Sequence, residues 1–197
     1  MAIAIVPAAG ASHRMGVPKL LLPYRDGTVL SCLVGALREG GVSRIVLVVA
    51  PSDQALQDWG REAGVLVALN PDPERGMLSS ILAGISAVGG AARLASDGEP
   101  LAVCPADLPA LRPSTVAAVL RSQAPLAVPS YRGKRGHPLV IAPELIPEIE
   151  TLDLDTGLRE LLARHSDRLS ELELDDPGAV RDVDTPEDYS RLMDGER

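Results

Sequence analysis

Phenylalanine is absent from this 197-residue chain, and Trp59, Tyr24, Tyr131 and Tyr189 are its only aromatic side chains. A core built from such a sequence is aliphatic, and bases cannot be stacked on an aromatic platform, which argues against binding to single-stranded nucleic acid. Cysteine is nearly as scarce. Cys32 and Cys104 stand far apart in no Cys-x-x-Cys pair, so they read as reduced core thiols of a cytosolic protein. No apolar run reaches the ~18 residues of a membrane span, and residues 1–10 lack the basic start of an export signal. The expectation is a soluble, cytoplasmic chain. A basic excess is missing too: 19 lysines and arginines face 27 aspartates and glutamates, a net charge of -8, the wrong sign for a nucleic-acid or anionic-membrane partner. A small molecule or another protein remains as the partner.

That charge is unevenly spread. Residues 1–143 carry 13 basic and 10 acidic side chains, whereas residues 144–197 carry 6 and 17. With 46% hydrophobic and 23% charged residues, a single domain over 1–197 can bury about 70% of its unfolded surface. Runs rich in Val, Ile and Leu recur at 2–6, 44–49, 65–69, 101–104, 126–129 and 139–142. Helical spacing lies between and after them at 29–39, 53–63, 78–88, 114–122 and 156–165. Thr28 is a candidate N-cap for the first helix, and Gly40 and Gly41 supply its stop. The alternation predicts an α/β fold with a largely parallel sheet. The run at 126–131 meets 138–142 with no room for a helix, so a hairpin makes the sheet mixed. Residues 91–99 are expected to form a surface loop. In the acidic tail Thr185 caps, Pro186 opens and Asp188 complements a last helix over 186–193.

The most informative segment follows the first apolar run: Ala8-Ala9-Gly10-Ala11-Ser12-His13-Arg14-Met15-Gly16-Val17-Pro18-Lys19. Small residues at the carboxyl end of a first strand let backbone N–H groups approach phosphates. G-x-x-x-x-G-K-[ST] fails because two residues separate the second glycine from Lys19, and G-x-G-x-x-G fails because Ser12 takes the second glycine's place. A P-loop ATPase and an ordinary dinucleotide-binding oxidoreductase are both disfavoured. Lys19 and Lys134 are the only lysines against 17 arginines, and both sit in glycine-flanked loops. A point charge on a flexible stem suits phosphate, and the Arg14 fork can hold a phosphate bidentately. His13 reads as loop surface.

This loop resembles that of the nucleotidyltransferases of the molybdenum cofactor type, within the nucleotide-sugar transferase superfamily, written (L/T)-A-(A/G)-G-x-S-x-R-M-G-x-x-K. Ala9, where the guanylyl branch has glycine, and Pro18, where that branch usually has aspartate, point to the cytidylyl branch. The resemblance implies a three-layer αβα sandwich of Rossmann-like nucleotide-diphospho-sugar transferase type. It also implies nucleotide binding by Ala8, Ala9, Gly10, Ser12, Arg14 and Lys19, the last two also catalytic.

Further motifs follow in the family's order. Asp107, in Cys104-Pro105-Ala106-Asp107-Leu108-Pro109, matches a Gly-Asp-x-Pro motif with Ala106 in the glycine's place. Asp184 resembles the family's second metal carboxylate. Mg²⁺ takes one or two carboxylates plus phosphate oxygens, and a turn cap at Asp107 and a helix cap near Asp184 are the competing structural roles. Gly76 and Ser80 resemble a Gly-x-x-x-Ser element that reads the base, with Ser79 or Ser80 as a helix cap the alternative. His137 in Gly136-His137-Pro138, and Asp155 and Arg159 in Asp155-Thr156-Gly157-Leu158-Arg159, resemble motifs facing the acceptor. The hairpin cations Arg132, Lys134 and Arg135 either contact an acceptor phosphate or form an ordinary charged turn. The activity implied is Mg²⁺-assisted transfer of CMP from CTP to the phosphate of molybdenum-molybdopterin, with a molybdoenzyme receiving the product. Another nucleotide or phosphorylated acceptor, or a non-catalytic cofactor carrier, stands as the alternative.

Overall fold

Side chains that alternate along the central strands form two aliphatic cores, one on each face of a single sheet. The computed structural model describes residues 1–10 and 18–195. Its strands are β1 (Ala2–Pro7), β2 (Pro23–Tyr24), β3 (Gly27–Thr28), β4 (Val42–Val49), β5 (Leu66–Leu69), β6 (Leu101–Val103), β7 (Leu126–Tyr131), β8 (Lys134–Arg135), β9 (Leu139–Ile141) and β10 (Leu169–Glu173). Its helices are α1 (Val29–Glu39), α2 (Gln54–Glu62), α3 (Met77–Ala87), α4 (Ala91–Asp97), α5 (Pro113–Leu120), α6 (Leu158–Arg164) and α7 (Pro186–Asp194).

The main sheet runs β10-β7-β9-β6-β1-β4-β5, with β8 paired to β7, while β2 and β3 form a separate ribbon. Only β9 runs against its neighbours β6 and β7 along this path. The carboxyl ends of the other six strands therefore open on one edge, where open α/β sheets bind ligands. Ala4, Val6, Leu47 and Val49 point into one core with Leu30, Leu33 and Val116 of α1 and α5. Ile3, Ile5, Val46 and Val48 point into the other with Ile81, Ile85 and Leu161 of α3 and α6. Strands covered on both faces read as continuous apolar runs, which is why they were visible without periodicity. Each such side chain is worth about 1.5–3 kcal/mol of burial. Among the described residues no single helix is long and apolar enough to cross a membrane.

The mixed sheet and the expected helices are present. The cap reading of Thr28 holds: its hydroxyl accepts from the Ser31 N–H at 3.1 Å, and Ser31 returns the bond. Two expectations are corrected. Residues 91–97 form α4 rather than a loop, because Ala91 and Leu94 bury one face of a short helix while Gly98, at φ +70°, ends it. The acidic tail, whose 17 acidic side chains imply mostly solvated surface, is not only that. It supplies edge strand β10, whose Leu169 and Leu172 pack inward while Glu171 and Glu173 pair with the hairpin.

After β10 the chain crosses the carboxyl edge as a strap over 174–184. Asp176 anchors it, 2% exposed and saturated by donors: the Arg112 N–H, the Thr115 hydroxyl and the Gly178 N–H, at 3.0, 2.6 and 2.9 Å. Gly178 is obligatory because a Cβ there would stand 2.1 Å from the Ala110 carbonyl oxygen. Replacing Asp176 by alanine leaves two buried donors and the part-buried Arg112 N–H unmet, so we expect a loss of about 2–4 kcal/mol in stability, read by urea denaturation.

Candidate active site

Three side chains singled out in the sequence meet on this edge. The Lys19 ammonium donates to Asp107 Oδ2 and to Asp184 Oδ1, each at 2.7 Å. Each participant is held by a local device. Lys19 opens a single 3-10 turn, Lys19–Leu21, whose Leu20 is buried in the core. Asp107 follows β6, which the chain prolongs along β1: the N–H groups of Cys104 and Ala106 donate to the carbonyls of Ile5 and Pro7. Leu108 and Leu111 then plug the loop into the core. The methyl of Ala106, where the family motif has glycine, is itself buried there. Asp184 reaches the cluster on the strap, whose Val183 N–H donates to the Asp107 carbonyl at 3.0 Å. Thr185 and Asp188 cap α7 reciprocally, so the cap needs no part of Asp184.

Burial of Lys19 pulls its pKa down, but the charges and hydrogen bonds of Asp107 and Asp184 outweigh it and hold the pKa above the ordinary 10.5. The amine is therefore cationic at neutral pH. Two carboxylates and one ammonium leave the cluster with one net negative charge. The Cys104 thiol behind it is fully buried, and burial followed by the Asp107 charge pushes its pKa far up. It is an inert core thiol, as the sequence indicates.

Beside the cluster, Ala8, Ala9, Gly10 and Pro18 line a cavity of about 430 Å³ with Ala50, Ser52, Asp53 and Glu74. The Ala8 N–H donates to the Val48 carbonyl at 2.8 Å, so that group is spent within the sheet. Ser12 and Arg14 lie outside the described residues. At the entry to α3, the cap position is Gly76, at φ +85°, and no side-chain cap is present. Ser79 and Ser80 are not caps. The Asn70 amide donates to both hydroxyls, at 2.8 and 3.0 Å, while its oxygen accepts from the Asp72 N–H. Ser80 is buried with Asn70, whereas Ser79 is half-exposed. Sequence reading passed over Asn70, whose position immediately after β5 was its one signal.

The acceptor candidates divide. Gly136 packs so closely on Ala179 that a Cβ would lie 2.3 Å from its carbonyl oxygen, which draws His137 to the strap. The ring's Nδ1 is buried without a hydrogen-bond partner among the described residues. Burial lowers the pKa of His137, with the Val103 carbonyl, Asp107 and Asp182 opposing. Asp155 and Arg159 are exposed beside α6, near Gly76 rather than His137: the Leu154 carbonyl lies 3.9 Å from where a Gly76 Cβ would be. The hairpin cations also separate. Arg132 stacks over Tyr131 and Arg135 pairs with Glu171.

Fold and site together define an α/β domain whose charged centre lies at the carboxyl edge of its sheet. Residues 4–169 match the MobA-like NTP transferase domain, and the chain belongs to that family of nucleotidyltransferases. Asp184 lies beyond the matched segment. The chain is 32% identical to the nicotine blue oxidoreductase of Paenarthrobacter nicotinovorans, over 96% of this chain and 95% of that one. It is 30% identical to the molybdenum cofactor cytidylyltransferase of Escherichia coli, over 94% and 92%. The crystal structure of Rv0371c from Mycobacterium tuberculosis superposes with a TM-score of 0.81 at 28% identity, covering 98% and 96%. A complex of the same protein with manganese gives 0.75 at 25%, covering 98% and 97%. With an oxidoreductase among the relatives, the missing glycine fingerprint does not by itself separate transferase from redox chemistry.

The His137 shift sets a pH dependence. A folded-state pKa below 6.5 means that the folded protein binds fewer protons there. The stability that neutral His137 contributes is present above pH 6.5 and is lost as pH falls through the depressed value. Urea denaturation between about pH 7 and 5 should show a flatter profile for His137→Gln than for wild type, by up to about 1.4 kcal/mol per pH unit.

Proposed function

We propose that this chain transfers a cytidylyl group from CTP to the phosphate of molybdenum-molybdopterin, releasing pyrophosphate. The observation that carries the reading is the Lys19 ammonium 2.7 Å from both Asp107 and Asp184. A cation already sits between two carboxylates at the edge where a nucleotide binds. That donor set suits a divalent ion, since Mg²⁺ takes one or two carboxylates and completes its shell with phosphate oxygens and water. Among the described residues no larger cluster of metal-ligating side chains exists. Asp107 and Asp184 would hold the ion, which when bound neutralises triphosphate charge.

The protein's own groups then act by position and charge. No protein nucleophile is needed, because the acceptor phosphate oxygen is ionised at neutral pH and attacks the α-phosphorus in line. Lys19, with Arg14, offsets the charge that develops on the α-phosphate and the leaving pyrophosphate. The loop from Ala9 lies along the nucleotide, and the Ala9 methyl, which lines the 430 Å³ cavity, reduces room for a purine. Gly76 and the Ser79–Ser80 pair, held by Asn70, read the base, while His137 faces the acceptor from the strap side and Asp155 and Arg159 from the Gly76 side. The whole chain acts as one cytoplasmic domain, and a molybdoenzyme takes the product.

The test is pyrophosphate release over a panel of nucleoside triphosphates with Mg²⁺ and purified molybdenum cofactor. CTP-dependent release is expected, and Lys19→Ala should lower kcat by about 10²-fold or more while weakening CTP binding less. Comparable turnover in Lys19→Ala overturns the role of Lys19, and tight pterin binding without release from any nucleotide indicates a carrier. The 32% relationship to an oxidoreductase favours a second reading, which redox turnover of nicotine blue in a parallel assay would support.

A further inference from the structure

A second cavity, of about 610 Å³, lies on the other side of the strap, and Lys19, Asp107 and Asp184 do not line it. Its walls come from the β2–β3 turn, the loop after Asp107, the β7–β8 hairpin, the strap itself and α7. Five cations face it: Arg25, Arg112, Lys134, Arg181 and Arg191. Three aspartates share the lining, and two of them pair with lining cations: Asp176 lies 3.9 Å from Arg112 and Asp188 lies 2.9 Å from Arg191. The carboxylate of Asp176 is saturated by the donors of the strap anchor. That of Asp188 accepts from the Thr185 N–H and hydroxyl and from Arg191. Asp182 is left beside Lys134 and Arg181 in the lining. In a chain of net charge -8, the described lining of this cavity carries five cations and three carboxylates.

The hairpin shows how one of these cations is placed. Adjacent strand residues point to opposite faces, so Arg135 turns to Glu171 while Lys134 faces the cavity and donates to the Val180 carbonyl at 3.1 Å. Neither Lys134 nor Arg181 has a carboxylate partner among the described residues. The wall is also stiff, because Gly178 seats the strap on the backbone of Ala110 and Gly136 seats the hairpin on the strap's Ala179, each with no space for a side chain. Lys134 and Arg181 project from this wall with no carboxylate at ion-pair distance among the described residues, an arrangement that a multiply charged phosphate satisfies. The volume is in the range of small-ligand sites.

We infer that this cavity is a binding site for a small multiply charged phosphate compound, separate from the Lys19 centre and gripped by Lys134 and Arg181. The shared chemistry is a di- or triphosphate anion, whose source is either inorganic pyrophosphate or a phosphorylated organic molecule.

Amide NMR of the full chain titrated with inorganic pyrophosphate, and separately with CDP, tests this at constant ionic strength and without divalent metal. Saturable shifts are expected at Lys134, Arg181 and their neighbours at millimolar or lower concentration. They should weaken about tenfold or more in the Lys134→Glu/Arg181→Glu variant and persist in Lys19→Ala. Tighter binding of one probe identifies which source the site takes. The inference is overturned if no saturable shift occurs at these residues, if sodium sulfate reproduces the shifts equally well, if the double variant binds as wild type, or if Lys19→Ala abolishes them. A double variant that does not fold is replaced by Lys134→Gln/Arg181→Gln, read in the same way.

Discussion

Two carboxylates held close together repel, and the ammonium of Lys19 between Asp107 and Asp184 is what makes their approach tolerable. The three residues are 88 and 165 positions apart as measured from Lys19, so the whole chain must be folded before the cluster exists. The first strand and its loop present the cation, the fourth strand of the sheet path presents one acid, and the strap near the carboxyl terminus returns with the other. The same contact stabilises the cation against its own desolvation, so fold and electrostatics support each other at one point.

The strap is the part of the architecture on which that meeting turns. Asp176 fixes one end by accepting three hydrogen bonds in a buried position, Gly178 allows backbone to lie on backbone, and Val183 bonds the Asp107 carbonyl. From there Asp184 reaches Lys19 at 2.7 Å. One face of the strap thus serves the charged centre, while the other face, with Arg181, bounds the second cavity. A rigid wall of this kind suits the proposed transfer, which needs charges placed rather than a covalent bond to the protein.

Much of this was legible beforehand for definite physical reasons. Strands buried on both faces leave unbroken apolar runs, and helix starts such as Thr28 and Thr185 announce themselves because few side chains can satisfy orphan N–H groups. Lys19, Asp107 and Asp184 were visible through their motifs. The short helix at 91–97 was not, because seven residues make too little periodicity to read and its stability comes from burying Ala91 and Leu94 against a distant segment. Strand β10 was hidden by its charges, since an edge strand with glutamates facing the hairpin looks like a solvated acidic tail. Asn70 carries no motif of its own, and its role as a bracket for Ser79 and Ser80 exists only where β5 ends beside α3.

The sequence by itself determined the layered α/β plan, the aliphatic character of both cores and the identity of the charged residues. These depend on local patterning and on side-chain chemistry that survives in any conformation. Only the tertiary structure decided which charges are neighbours. It set Lys19 between two acids, turned Lys134 and Arg135 to opposite partners, and gathered five cations around one cavity of an acidic protein. Net charge and composition are sums over the chain, whereas electrostatic interaction falls with distance and with exposure to water, and distance is what folding supplies.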